Sequence, residues 1–279
     1  MTEIGRFNVL KVLKTVDFGV YLNGKELGEI LLPKRYIKKP LNEGDEVNVF
    51  IYTDSDDRLV ASTDQPLGQE GDFVALTVEA ITGVGAFMQW GLPKDLFVPF
   101  AEQQSPLEEG EKHVVYIAFD PSSKRLYGST RLDNFAYHAD ETLENGMKVN
   151  ALVVKSTELG YKCIVNNMFL GMLYANEVFK PLTAGDKITC YISQIREDGK
   201  LDLLLQEPGY SRIDPIADEL LKKLRNQNGF LPLHDKSDPE EIYAQLGISK
   251  KAFKQAVGNL YRQKLITLET NGIRLTKQS

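Results

Sequence analysis

Residues 18–22 read Phe18-Gly19-Val20-Tyr21-Leu22, and the arrangement returns twice, as Val84-Gly85-Ala86-Phe87-Met88 and Leu159-Gly160-Tyr161-Lys162-Cys163. Each copy sits at the centre of a larger pattern. One glycine stands 14 residues before the central one and another 25 after it: Gly5, Gly19 and Gly44, then Gly71, Gly85 and Gly110, then Gly146, Gly160 and Gly185. The chain has 22 glycines, so a single coincidence would mean little, but the apolar text around these positions repeats with them. Self-similarity of this kind marks a repeated structural unit.

Working outward, Phe7 to Val12, Phe73 to Val78 and Val149 to Val154 alternate apolar residues with period two, as half-buried first strands do. Val20-Tyr21-Leu22, Ala86-Phe87-Met88 and Tyr161-Lys162-Cys163 follow the second glycine as second strands. Ile30-Leu31-Leu32, Leu96-Phe97-Val98 and Met172-Leu173 supply the third. Val47 to Ile51, Val114 to Ile117 and Ile188 to Ile192 follow the third glycine as fourth strands. Leu59 to Thr63, Leu126 to Thr130 and Leu201 to Leu205 close each unit. Five short strands in roughly 65 residues suit a small closed barrel of the OB type.

The segment from residue 213 onward has a helical period instead. Asp214-Pro215 pairs an N-cap residue with proline at the first helical position, and Ile216, Leu220, Leu221 and Leu224 follow as an apolar face. A short strand at Phe230 to Leu233 precedes a second helix, capped by Ser237 or Asp238 and ending near Gly247. Ser249 caps a third, Lys250 to about Gln263, with Phe253, Val257, Leu260 and Tyr261 directed inward. Ile266 to Glu269 and Ile273 to Leu275 flank Asn271-Gly272, a strong hairpin signal. Helix-turn-helix followed by a hairpin reads as a winged helix. The expected fold is therefore mainly β, with barrels at 1–66, 67–140 and 141–212 and a small α+β winged helix-turn-helix domain at 213–279.

Composition agrees with several compact units. The chain has 279 residues, beyond the roughly 100 to 200 of one ordinary domain. With 42% hydrophobic and 26% charged residues it is an ordinary globular chain. No stretch approaches the roughly 20 apolar residues of a membrane span, and the N-terminus lacks a secretory apolar region, so a cytoplasmic protein with no membrane partner is expected. Cys163 and Cys190 both lie in alternating apolar segments and read as buried free thiols.

The net charge of −6 is uneven. Residues 1–212 hold 22 Lys+Arg against 31 Asp+Glu, whereas residues 213–279 hold 11 against 8. Residues 67–140 are poorest in cations, 5 against 11, which makes the middle unit the weakest candidate for phosphate contacts.

The run Gly5-Arg6-Phe7, Phe18-Gly19-Val20-Tyr21-Leu22, Gly44-Asp45-Glu46-Val47 and Leu59 to Thr63 resembles the S1 RNA-binding domain. The second and third units follow it with Val84 and Leu159 at the aromatic position before the glycine. Three S1 units and a winged helix over nearly the whole chain resemble the bacterial conserved virulence factor B family. The resemblance implies a cytoplasmic regulator that binds RNA without catalysis.

On an S1 face, aromatic side chains offer flat surfaces to unstacked bases and nearby cations meet phosphates. Phe18 and Tyr21 match those positions in the first unit, Phe87 in the second and Lys162 in the third. Strict alternation separates Phe18 from Tyr21, but a bend at Gly19 would reunite them, as the resemblance to the S1 motif implies. Arg6, Lys11, Arg35 and Lys155 are further candidates, and Lys34-Arg35 with Lys38-Lys39 forms a local basic cluster. Lys250, Lys251, Lys254 and Arg262 project from the third helix as a recognition helix requires. Aromatics in small barrels more often pack than bind, and charged helix faces are more often merely solvated.

No catalytic constellation accompanies these residues. His113, His138 and His234 lie in different regions without metal-ligand spacing. Neither a Walker A loop nor a GxSxG elbow is present, and Gly83-Val84-Gly85 lacks the third glycine and helix of a phosphate cradle. No enzyme activity, cofactor or metal is expected. The leading expectation is single-stranded RNA binding in post-transcriptional regulation. The alternatives are a DNA-binding transcription regulator and an adaptor of ribosome or ribonuclease components.

Overall fold

The computed structural model describes residues 2–178, 180–207, 215–262 and 264–276. The chain divides into two units, Met1–Glu207 and Pro208–Ser279. The first contains three five-stranded units with one connectivity. Strands β1 (Phe7–Val16), β2 (Gly19–Asn23), β3 (Glu29–Pro33), β4 (Glu46–Thr53) and β5 (Leu59–Ser62) close a barrel in the order β1-β2-β3-β5-β4. The third unit repeats that order with β11 (Lys148–Thr157), β12 (Gly160–Val165), β13 (Phe169–Tyr174), β14 (Lys187–Ile195) and β15 (Leu201–Leu204). The second has β6 (Phe73–Thr82), β7 (Gly85–Gln89), β8 (Leu96–Pro99), β9 (Lys112–Asp120) and β10 (Arg125–Ser129), hydrogen-bonded as β10-β9-β6-β7-β8. Its β8 and β10 meet through side chains rather than a ladder. A Cβ on Gly128 of β10 would stand 2.9 Å from Val98 of β8 and 3.1 Å from Leu96.

The repeated central glycine has a steric cause. At Gly19, Gly85 and Gly160 the backbone of the third strand passes so close that a Cβ would lie 2.2, 2.4 and 2.2 Å from the carbonyl oxygens of Leu32, Val98 and Leu173. No side chain fits there. A second device also recurs: the first strand slips register against the second between Val12 and Lys14, between Val78 and Ala80, and between Val153 and Lys155. A bulge at Leu13, Glu79 and Val154 supplies the extra bend that a small barrel needs.

Each barrel is filled by one face of its strands, for example Leu10, Val20, Leu22, Leu32 and Ile51 in the first. Cys163 and Cys190 are free and buried in the third, and burial pushes their thiols up to about 12 and about 11. The barrels also share apolar surface. Phe50 and Tyr52 of the first join the cluster around Trp90 of the second, with Phe50 and Trp90 edge to face at 5.8 Å. Between the second and third, Phe73, Val114, Leu132, Ile164 and Leu170 form one cluster, beside which Tyr116 stacks on Phe135 at 4.2 Å.

The second unit has helices α1 (Pro215–Asn226), α2 (Pro239–Leu246) and α3 (Lys250–Arg262) and a three-stranded sheet of β16 (Phe230–Leu231), β17 (Ile266–Glu269) and β18 (Gly272–Leu275), ordered β16-β18-β17. The cap expected at Asp214 and the helix end at Gln263 lie outside the described residues. Of the two candidate caps of α2, Asp238 is the one that acts, accepting from Glu240 N at 2.8 Å. Leu220, Leu224, Phe253, Ala256 and Leu260 fill the core with Leu231 and Ile273.

Three expectations for this unit are corrected. Tyr261 is 53% exposed, and the inward face of α3 is made by Phe253, Ala256, Val257 and Leu260. The strand read from Phe230 to Leu233 ends at Leu231. The hairpin turns through Thr270-Asn271, because Glu269 pairs with Gly272. Gly272 belongs to the strand, where a Cβ would stand 2.2 Å from the Leu231 carbonyl oxygen.

Candidate nucleic-acid interface

Phe18 lies in the tight turn before β2, outside the ladder, so strand alternation does not govern its side chain. Val20 and Leu22 point into the barrel, while Tyr21 points outward and meets Phe18 edge to face, with ring centroids 6.4 Å apart. Phe18 is 58% exposed. Lys14 stands opposite Tyr21 on β1, its ammonium 4.7 Å from the ring centroid and 2.5 Å from Glu29. The Phe18 carbonyl accepts from Lys34 N at 2.9 Å, so the basic turn Lys34–Tyr36 starts at the edge of the aromatic pair. Arg35 in that turn lies over the Tyr36 ring at 4.7 Å with its head exposed. Two rings with the exposed cations Lys34 and Arg35 on one side of a barrel fit a single strand whose bases stack and whose phosphates face ammonium and guanidinium groups, while Lys14 is engaged by Glu29.

Other candidates have structural partners. Arg6 pairs with Glu70 at 2.7 Å, next to the bond from Glu70 N to the Gly5 carbonyl, and so fastens the first barrel to the second. Lys162 donates to Asp133 at 2.5 Å, joining the third barrel to the segment after β10. A phosphate at either position would have to displace a carboxylate. Lys155 faces Lys162 across the β11–β12 ladder and is exposed, as is Lys11 on β1.

Phe87 packs on Phe97 at 5.2 Å in a groove of about 700 Å³ that also holds Phe119, Tyr127, Asp95 and Glu102. This face is aromatic but acidic. On α3, Lys251, Lys254 and Arg262 are exposed and Lys250 half-buried, and none has an ion pair among the described residues. At roughly 100° per residue, Lys250, Lys254 and Tyr261 fall within about 40° of one another around the axis, with Lys251 and Arg262 alongside.

Sequence reasoning missed Lys14, Phe97, Phe119, Tyr127 and the outward Tyr261. Lys14 was accessible from hairpin register, since it faces Tyr21. Phe97 was signalled by its place between inward Leu96 and Val98. The three histidines make separate local bonds: His113 with Glu111, His138 with the Asp198 carbonyl and His234 with Lys236 N. No helix among the described residues is long and apolar enough to cross a membrane.

Residues 4–64 match the S1 domain family and residues 218–275 match the CvfB-like winged helix domain family. Both domain types are typical of non-catalytic nucleic-acid-binding proteins, and neither is a catalytic family. Uncharacterized protein YitL of Bacillus subtilis (strain 168) is 27% identical over 274 residues, covering 92% of this chain and 89% of its own. Conserved virulence factor B of Staphylococcus aureus (strain N315) is 26% identical over 246 residues, covering 85% and 82%. A solved multidomain protein with nucleic acid binding domains from Streptococcus pneumoniae aligns over 98% of both chains at 24% identity, with a TM-score of 0.45. With an S1 domain at one end, a CvfB-like winged helix domain at the other and similarity along most of its length, this chain is a relative of the conserved virulence factor B proteins.

Proposed function

We propose that the protein binds single-stranded RNA without catalysis, as a cytoplasmic post-transcriptional regulator. The observation that carries this reading is the pair of exposed Phe18 and half-buried Tyr21, bordered by the exposed cations Lys34 and Arg35. Unpaired bases stack on such rings, whereas a duplex hides its base faces. The exposed cations of α3 act as a second contact on the same strand, and linking two weak sites raises overall affinity without new contacts. Lys11 and Lys155 add positive charge away from the aromatic pair.

The cations of α3 also favour a second reading, a winged helix set against duplex DNA. One comparison separates the two. Deleting residues 213–279 weakens RNA binding more than the double change Phe18→Ala and Tyr21→Ala, because long-range attraction to phosphate comes chiefly from the basic end. Circular dichroism checks that the barrels stay folded, as their separate core requires. Undiminished RNA affinity after the deletion would remove the winged helix from the RNA surface and leave it for DNA or a protein.

A further inference from the structure

The groove on the second barrel differs in kind from the face of the first. Its walls are Phe87 and Phe97 from β7 and β8 with Phe119 and Tyr127 from β9 and β10, all partly exposed. Its charge is negative. The two cations at its rim, Lys94 and Arg125, are both spent on Asp57 of the first barrel, and Lys94 also donates to the Asp54 carbonyl at 2.7 Å. Asp120 is held by Ser122 and Ser123. Asp95 and Glu102 remain. Asp95 has no ion pair or hydrogen bond among the described residues, and burial together with the charge of Glu79 pushes its carboxyl up. Glu102 Oε2 is buried without a hydrogen-bond partner.

A polyphosphate strand laid in this groove would set its charges against unneutralised carboxylates. A guanidinium suits it on both counts, because it stacks flat on aromatic rings and donates a planar fork to carboxylates. We propose that this groove docks an arginine-bearing segment of a protein partner, with the guanidinium between the Phe87–Phe97 wall and the carboxylates of Asp95 and Glu102. The site would give the protein a peptide partner independent of any RNA held by the first barrel or α3.

The test uses the full chain and a fluorescein-labelled peptide of five Gly-Arg repeats, with a Gly-Lys peptide and a 12-nucleotide single-stranded RNA in parallel. Anisotropy of the labelled peptide reports occupancy. The Gly-Arg peptide is expected to bind more tightly than the Gly-Lys peptide. Asp95→Asn with Glu102→Gln should weaken it by about tenfold or more, as loss of charge-assisted pairs requires. Phe87→Ala should weaken it too, through lost stacking. Glu141→Gln with Glu144→Gln, which removes the same charge from the third barrel, should leave it unchanged, and RNA affinity should not fall in the groove variants. Absence of peptide binding would overturn the proposal, as would equal weakening in the two double variants. Loss of RNA rather than peptide affinity in Phe87→Ala would also overturn it and return the groove to RNA. The carboxamide variants preserve side-chain shape, and thermal melting by circular dichroism confirms that they fold.

Discussion

Phe18 and Tyr21 stand on either side of a glycine that cannot be replaced, ring centroids 6.4 Å apart and planes crossed at 83°. The edge of one ring supports the other, leaving a ring face open to solvent at a position where packing does not need it. Phe18→Ala is therefore expected to leave the melting temperature nearly unchanged while weakening single-stranded RNA binding by roughly 1 to 3 kcal/mol, the worth of one base–aromatic stack. Anisotropy titration with a 12-nucleotide RNA beside a thermal melt checks both halves. A large loss of stability with no loss of affinity would make Phe18 a packing residue.

Gly19→Ala should act in the opposite sense. Its Cβ would lie 2.2 Å from the Leu32 carbonyl oxygen, and backbone cannot move aside as the end of a side chain can. Separating β2 from β3 costs about 1 to 3 kcal/mol, the usual range for overpacking. Urea denaturation measures it, with Gly83→Ala as a control at an open position without a left-handed backbone.

The bond between Lys162 and Asp133 sets a pH dependence. Burial pushes the Asp133 carboxyl up, but the hydrogen bond and charge of Lys162 outweigh it and hold the group below its ordinary value of 3.8. A depressed carboxylate contributes stability that is complete well above 3.8 and is lost as pH falls through its folded-state value. Half of the Asp133 side chain is exposed, so the pair is worth at most about 1 kcal/mol. Asp133→Asn should thus lower stability slightly at pH 7, and the gap from the parent protein should close below pH 3.8. Denaturation series at several pH values test this. A gap that widens on acidification would contradict the pairing.

Much of this molecule was legible because its repeat is dictated by backbone geometry. Gly19, Gly85 and Gly160 stand where a third strand comes within van der Waals contact, so spacing alone revealed three barrels. The register slips at Leu13, Glu79 and Val154 left no such trace, since a bulge accepts many residue types. Neither did the sharing of Phe50 with Trp90 or of Phe73 with Ile164, because alternation says which face a residue occupies and not what lies against it. Tyr261 was read inward on period alone, though α3 already fills its core with Phe253, Ala256, Val257 and Leu260. Within the candidate interface, the motif located Phe18 and Tyr21. It could not show that the carboxylates of Glu70 and Asp133 engage Arg6 and Lys162, since each comes from another part of the chain.

The most direct test is a competition in one buffer, at one stated salt concentration, between a pyrimidine-rich single-stranded RNA and duplex DNA of equal length for the full chain. Stacking on Phe18 and Tyr21 requires unpaired bases, and an acidic protein with few free cations has little purchase on a duplex backbone. RNA is expected to bind at least about tenfold more tightly, with only a shallow loss of affinity as salt rises. Equal affinity, or preference for the duplex with a steep salt dependence, would contradict single-stranded RNA binding and shift the function to the winged helix on DNA.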